Sequence, residues 1–126
     1  MLFRSTARIE DVRPGGRRLV ADGFERRGQP FMLTEFGGIA YARDEAGTWG
    51  YVRARTAKDL AARYEALLGA VHRSPHFIGF CYTQFADTFQ EANGLLTGER
   101  EPKFPLERIA AAVTGGAPAV NLPTVS

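Results

Sequence analysis

Glu35 is the residue whose surroundings best suit chemistry. It closes a short apolar run, Phe31-Met32-Leu33, and Gly37-Gly38 follow two residues later. Such a run fits a strand buried on both faces of a parallel sheet. The two glycines permit backbone angles that other residues resist and leave space beside the acid. A carboxylate at the carboxyl end of a parallel strand is where β/α barrels place catalytic groups. The same Glu on a plain surface would be inert, so the elements around it decide its role.

Other reactive groups are fewer. Asp87 and Glu91 follow a second apolar segment, Phe77 to Tyr82, and can approach Glu35 from the next strand; a hydrogen-bonding or solvated role is the plain alternative for each. His72 and His76 are four apart, but Pro75 ends the helix between them, so no metal site is expected. Cys81 is alone, which rules out an intrachain disulfide and fits a reducing, cytoplasmic setting. Its apolar flanks predict a buried structural thiol and not a nucleophile. No cofactor is expected.

Composition frames these residues. The chain has 126 residues, 44% hydrophobic and 24% charged, with a net charge of +2. These are the values of one soluble globular domain with a real core. The basic stretches at Arg13 to Arg18 and Arg26-Arg27 are interspersed with acids and read as a solvated face, so no nucleic-acid partner is expected. No apolar run approaches the roughly 18 residues of a membrane span, and Met1 to Glu10 lacks the apolar centre of a signal peptide, so no membrane partner is expected either.

The elements that must hold Glu35 follow from pattern. Residues 1–16 read as a poorly fixed leader, and Arg18 to Ala21 as a brief strand. Phe31 to Thr34 is the first clear strand. Residues 37–56 read as a long loop carrying Tyr41, Trp49 and Tyr51. Ala57 to His72 is the surest helix: Leu60, Ala61, Tyr64, Leu67, Leu68 and Val71 form one stripe, Thr56 and Asp59 supply a cap, and Ser74-Pro75 a stop. Phe77 to Tyr82 is a second buried strand. Pro105 opens a last helix with Leu106, Ile109, Ala110 and Val113 on one face, and residues 115–126 read as a flexible tail. The order is two β/α units. Two parallel strands cannot close a sheet, and each keeps an open edge, so the pattern predicts part of a larger α/β domain.

The ordered set Thr34-Glu35-Phe36-Gly37-Gly38, Trp49-Gly50-Tyr51, Gly79-Phe80-Cys81-Tyr82-Thr83-Gln84, Asp87, Asn93-Gly94-Leu95-Leu96 and Arg100 to Phe104 resembles the carboxyl-terminal end of the catalytic barrel of glycoside hydrolase family 2. That family includes β-galactosidase-like, β-glucuronidase-like and β-mannosidase-like enzymes. The resemblance spans roughly residues 17 to 113. It implies a partial (β/α)8 TIM barrel over residues 17–114, with Phe31 to Glu35 as the seventh strand and Phe77 to Tyr82 as the eighth. It implies Glu35 as the nucleophile of a retaining β-glycosidase, and Trp49, Tyr82, Asp87 and Asn93 as substrate-binding residues.

The sequence also departs from the family. The acid/base Glu of these enzymes follows an Asn at the end of the fourth strand, and no Asn-Glu pair occurs here. The first six strands have no counterpart. Thr88-Phe89 and Gly98 replace residues of other kinds. The expectation is a fragment that is nearly inactive alone, with a carbohydrate substrate once the rest of a barrel completes it. The alternative is a non-catalytic α/β scaffold that self-associates or pairs with a complementing chain.

Overall fold

The computed structural model of the chain describes Gly23, residues 27–42 and residues 52–116. The expected leader, the brief strand at Arg18 to Ala21, Trp49, Tyr51 and the tail beyond Gly116 lie outside the described residues.

Six elements follow in order: β1 (Phe31–Gly37), β2 (Ile39–Ala40), β3 (Val52–Arg53), α1 (Ala57–His72), β4 (Phe77–Thr83) and α2 (Leu106–Thr114). The fold is α/β, and both strand pairs, β1 with β4 and β2 with β3, are parallel. The stretch read as one long loop therefore contains two short strands at its ends. Their pairing was invisible to pattern because each is only two residues long.

α1 forms where the stripe predicts. The Thr56 hydroxyl accepts from the Asp59 amide at 3.0 Å, and the Asp59 carboxylate accepts from the Arg55 amide at 3.0 Å, so the first turn is closed from both sides. Leu60, Ala61, Tyr64, Leu68 and Val71 are buried. Leu60, Ala61, Tyr64 and Leu68 form one core with Ile39, Ala54, Leu95, Leu96 and Phe104, against which Phe36 of β1 and Phe80 and Tyr82 of β4 pack. Tyr64 is the central plug. Its ring meets Tyr82 edge-on at 4.9 Å and Phe104 at 5.8 Å, and Phe36 meets Tyr82 edge-on at 5.7 Å. Such perpendicular pairs bring the positive edge of one ring to the negative face of the next.

The other sheet face is uncovered among the described residues, and this corrects two expectations. The strands are not buried on both faces: Met32 is 57% exposed and Ile78 71%. Cys81 is exposed, not a buried thiol. Pattern alone assumed a second layer of structure behind these residues. A third correction concerns α2. Leu106, Ala110 and Val113 are exposed, and Ile109 with Ala112 packs against the core instead. The helix is fixed to α1 by two polar contacts that a hydrophobic stripe does not anticipate. Arg108 donates to both Glu65 carboxylate oxygens at 2.6 and 2.8 Å, which holds the Glu65 carboxyl below its usual range. The His72 Nε2 lies 3.0 and 3.1 Å from the last carbonyls, Ala112 O and Val113 O. No described helix is long and apolar enough to cross a membrane.

The buried tyrosines make alkaline stability a test of this core. Burial pushes Tyr64 and Tyr82 up from 10.0 to about 12; a Tyr64 oxygen nearby adds to the effect on Tyr82, and the Ile39 amide partly offsets it. The Tyr64 hydroxyl has no hydrogen-bond partner among the described residues, and the Ile39 amide lies near the Tyr82 hydroxyl without the geometry of a full hydrogen bond. Above the unfolded value, unfolding releases protons that the folded state retains. Stability is therefore whole below about pH 10 and falls as pH rises toward 12. Replacing both residues (Tyr64→Phe with Tyr82→Phe) should change stability at neutral pH by less than about 1.5 kcal/mol, since no hydrogen bond is lost. It should also flatten the alkaline loss, read as melting temperature between about pH 8 and pH 11. An unchanged alkaline loss in the double variant would contradict the placement.

Candidate active site

Glu35 stands at an irregularity in β1 that its sequence does not announce. Leu33 pairs with Phe80 and Phe36 with Tyr82, so Thr34 and Glu35 together stand opposite the single residue Cys81. This two-for-one step is a β-bulge, a feature that re-aims side chains and gathers beside active sites. It breaks the simple alternation of the strand. Leu33 and Phe36, three apart, come to the same face as Phe80 and Tyr82, and Phe36 meets Phe80 edge-on at 5.9 Å. Glu35 is exposed next to this packed ring.

The turn beyond the strand requires glycine. Gly37 has φ of +123°, and a Cβ there would lie 2.5 Å from the Tyr82 ring and 2.7 Å from the Thr83 carbonyl. Gly38 continues the pairing by donating to Thr83 O at 3.0 Å. The two strand ends are therefore held together just past Glu35.

A return loop, residues 84–104, folds back over these ends. The Leu96 amide donates to Phe85 O and the Asp87 amide to Leu96 O, both at 3.0 Å, so the loop closes on itself. Gly94 crosses so near the Ala86–Asp87 backbone that a Cβ would sit 2.4 Å from it. The Tyr41 amide donates to Ala92 O at 2.8 Å and joins the loop to the chain after β2. Lys103 fastens the whole. Its buried ammonium donates to Asp87 Oδ1 at 2.7 Å, Tyr41 O at 2.8 Å and Ala92 O at 3.0 Å. Asp87 Oδ1 also accepts from the Gly94 amide at 2.8 Å. All three ammonium protons are thus used, as a buried lysine demands.

The result is a cleft of about 430 Å³ between the end of β1 and the loop. The strand ends contribute Glu35, Phe36, Gly37, Gly38 and Thr83, and the return loop contributes Glu91 and Asn93. Asn93 is 4% exposed and its Oδ1 has no hydrogen-bond partner among the described residues. Neither Glu35 nor Glu91 has a salt-bridge partner among the described residues. No group of three or more metal-ligating side chains occurs among them either.

The candidates from sequence thus separate. Glu35 and Asn93 meet at one cleft. Asp87 does not line it: its carboxylate is held by Lys103 and Gly94 inside the return loop. Tyr82 does not line it either. Its ring is packed between Phe36 and Tyr64, and strand alternation with the bulge turns it to the helix side. Trp49 lies outside the described residues. Glu91 is the residue the sequence underweighted. Its spacing of two from Asn93 places both on one side of an extended segment, which was the available signal. Lys103 was missed altogether, because nothing local marks a lysine that will be buried.

No protein-family model matches the sequence, and no curated protein matches it. Among solved structures, the chain is similar to the β-glucuronidase of Bifidobacterium dentium, solved in complex with coumarin-3-O-glucuronide. The two share 26% identity with a TM-score of 0.49, over 70% of this chain and 15% of the other.

The ion pair that shapes the loop is open to measurement. Lys103→Met leaves the Asp87 carboxylate with one hydrogen bond in a mostly buried place and should cost roughly 3 kcal/mol in urea unfolding. Adding Asp87→Asn should recover part of that loss, because the uncompensated charge is removed. A Lys103→Met chain as stable as the parent would show that the loop is held otherwise.

Proposed function

We infer that this chain is the carboxyl-terminal part of the (β/α)8 barrel of a retaining β-glycosidase, and that Glu35 is its nucleophile. The observation that carries this is the bulge: a Glu turned out of a parallel strand at its carboxyl end into a cleft, while its neighbour Phe36 returns to the core. The ordered family-like residues around it, from Thr34-Glu35-Phe36-Gly37-Gly38 to Arg100 to Phe104, support the same reading. The uncovered face of β1 and β4 fits a sheet whose remaining strands come from elsewhere.

In this reading a Glu35 oxygen attacks the anomeric carbon as the bond to the leaving oxygen breaks, giving a glycosyl-enzyme. A second carboxyl group protonates the leaving oxygen and then takes a proton from the water that releases the sugar. The chain has no Asn-Glu pair to supply that acid, so the acid belongs to the completing strands. Without it, the rate falls on the order of 100- to 10,000-fold from lost general acid catalysis alone.

The test is to complete the barrel with the segment encoded just upstream, which should contain an Asn-Glu pair. The completed enzyme should hydrolyse aryl β-glycosides with retention of configuration. Glu35→Gln in that enzyme should lower kcat by roughly a thousand-fold or more, the order of loss that follows removal of a nucleophile. Full activity of Glu35→Gln, or an inverted product, would overturn the assignment.

A further inference from the structure

Asn93 lines the Glu35 cleft from the loop side, and the peptide groups before and after it end on one ion pair. The carbonyl before it, Ala92 O, accepts from the Lys103 ammonium at 3.0 Å. The amide after it, Gly94 N, donates to Asp87 Oδ1 at 2.8 Å. That same Oδ1 accepts from Lys103 at 2.7 Å, so a bridge of three bonds spans Asn93. The Tyr41 amide adds a further bond to Ala92 O at 2.8 Å. At Gly94 the backbone passes so close to Ala86 and Asp87 that no side chain would fit. The pair is withdrawn from water, with 5% of the Lys103 side chain and 18% of the Asp87 side chain exposed. Neither residue lines the cleft.

Stability alone is a poor reason to bury such a pair. Desolvation of two charges offsets most of their attraction, and well-packed apolar residues of similar volume are commonly as stable or more so. What apolar residues lack is direction. Each bond of the bridge fixes a distance and an angle for a peptide group beside Asn93.

We propose that Lys103 and Asp87 are positioning residues, which touch no sugar and act on the reaction by setting the place of Asn93 in the cleft. The inference rests on reading the cleft as a glycosidase site. It gives Asp87 a different role from the direct sugar contact that the family resemblance implies. A binding group displaced by about 1 Å can cost on the order of a hundredfold in rate, so a pair remote from the sugar can still govern turnover.

The experiment separates position from stability. In the completed enzyme, Lys103→Met with Asp87→Leu removes the directed bonds and fills the space. Its urea midpoint should stay near the parent's, while kcat/KM should fall by roughly tenfold to a hundredfold. Asn93→Ala should lower kcat/KM comparably, and adding the apolar pair to it should cost little more, because the group being positioned is gone. In the chain itself, the apolar pair should speed hydrogen exchange of the Gly94 amide at least about tenfold. If the apolar pair fails to fold, Lys103→Met with Asp87→Asn, which keeps the oxygen that Gly94 bonds, replaces it in the kcat/KM comparison. Parent-like kcat/KM in the folded pair variant would overturn the proposal. So would a loss that simply multiplies with that of Asn93→Ala, a harmless Asn93→Ala, or unchanged exchange at Gly94 in the apolar pair. Any of these leaves Glu35 assigned as long as Glu35→Gln is inactive. A harmless Glu35→Gln, with the losses at Asn93 and the pair still overlapping, would overturn the nucleophile and keep the positioning role.

Discussion

The buried ammonium of Lys103 is the constraint on which the rest of the site depends. A lysine removed from water needs all of its protons bonded, and here the three acceptors come from three separated places in the chain: Asp87, Ala92 and Tyr41. Satisfying one cation therefore fixes the return loop to itself and to the segment that leaves β2. The cost of burying a charge makes the arrangement close to all-or-none, since losing one acceptor leaves the ammonium with an unbonded proton away from water. Glu91 and Asn93 lie in the part of the loop so fixed, which is why a loop without regular structure can still present two side chains at a defined wall.

The opposite wall depends on a different device. A strand that alternated strictly would place Leu33 and Glu35 on one face and Phe36 on the other. The bulge adds one residue to β1 opposite Cys81, so the core regains Phe36 while Glu35 stays outside. The ring cluster of Phe36, Phe80, Tyr82 and Tyr64 then makes that register the favoured one, because slipping it would drive aromatic rings off the core face. Packing energy on one side of the sheet thus holds the Glu35 carboxylate at the end of the strand. Gly37 is the adjacent requirement, since any side chain there would collide with Tyr82 and Thr83.

Much of this was legible in the sequence where periodicity or capping speaks. The limits of α1 followed from the stripe through Leu60, Tyr64 and Leu68, from Thr56 and from Ser74-Pro75. The pairing of two apolar segments as parallel neighbours followed from the helix between them. What escaped was non-local. An apolar run does not reveal whether a second layer covers it, so the pattern puts Cys81 and Ile78 inside, whereas both are exposed. Asp87 looked like a site acid because its partner sits sixteen residues away. Tyr82 shares a face of β4 with Phe80, and a short apolar run does not say which of its two faces the helix covers. The role of α2 depended on Arg108 meeting Glu65 and on His72 meeting the last carbonyls, contacts that join residues forty or so positions apart.

In the proposed enzyme Glu35, and not the acid across the cleft, forms the bond to sugar. A 2-fluoro β-glycoside with a dinitrophenolate leaving group needs no proton from an acid and slows release of the sugar, so it traps the glycosyl-enzyme. Peptide mass spectrometry of the completed enzyme after exposure to it would locate the bond. The fluoro-sugar mass is expected on the peptide holding Glu35 and absent in Glu35→Gln. The same mass on the peptide holding Glu91, or on neither while substrate is turned over, would contradict it.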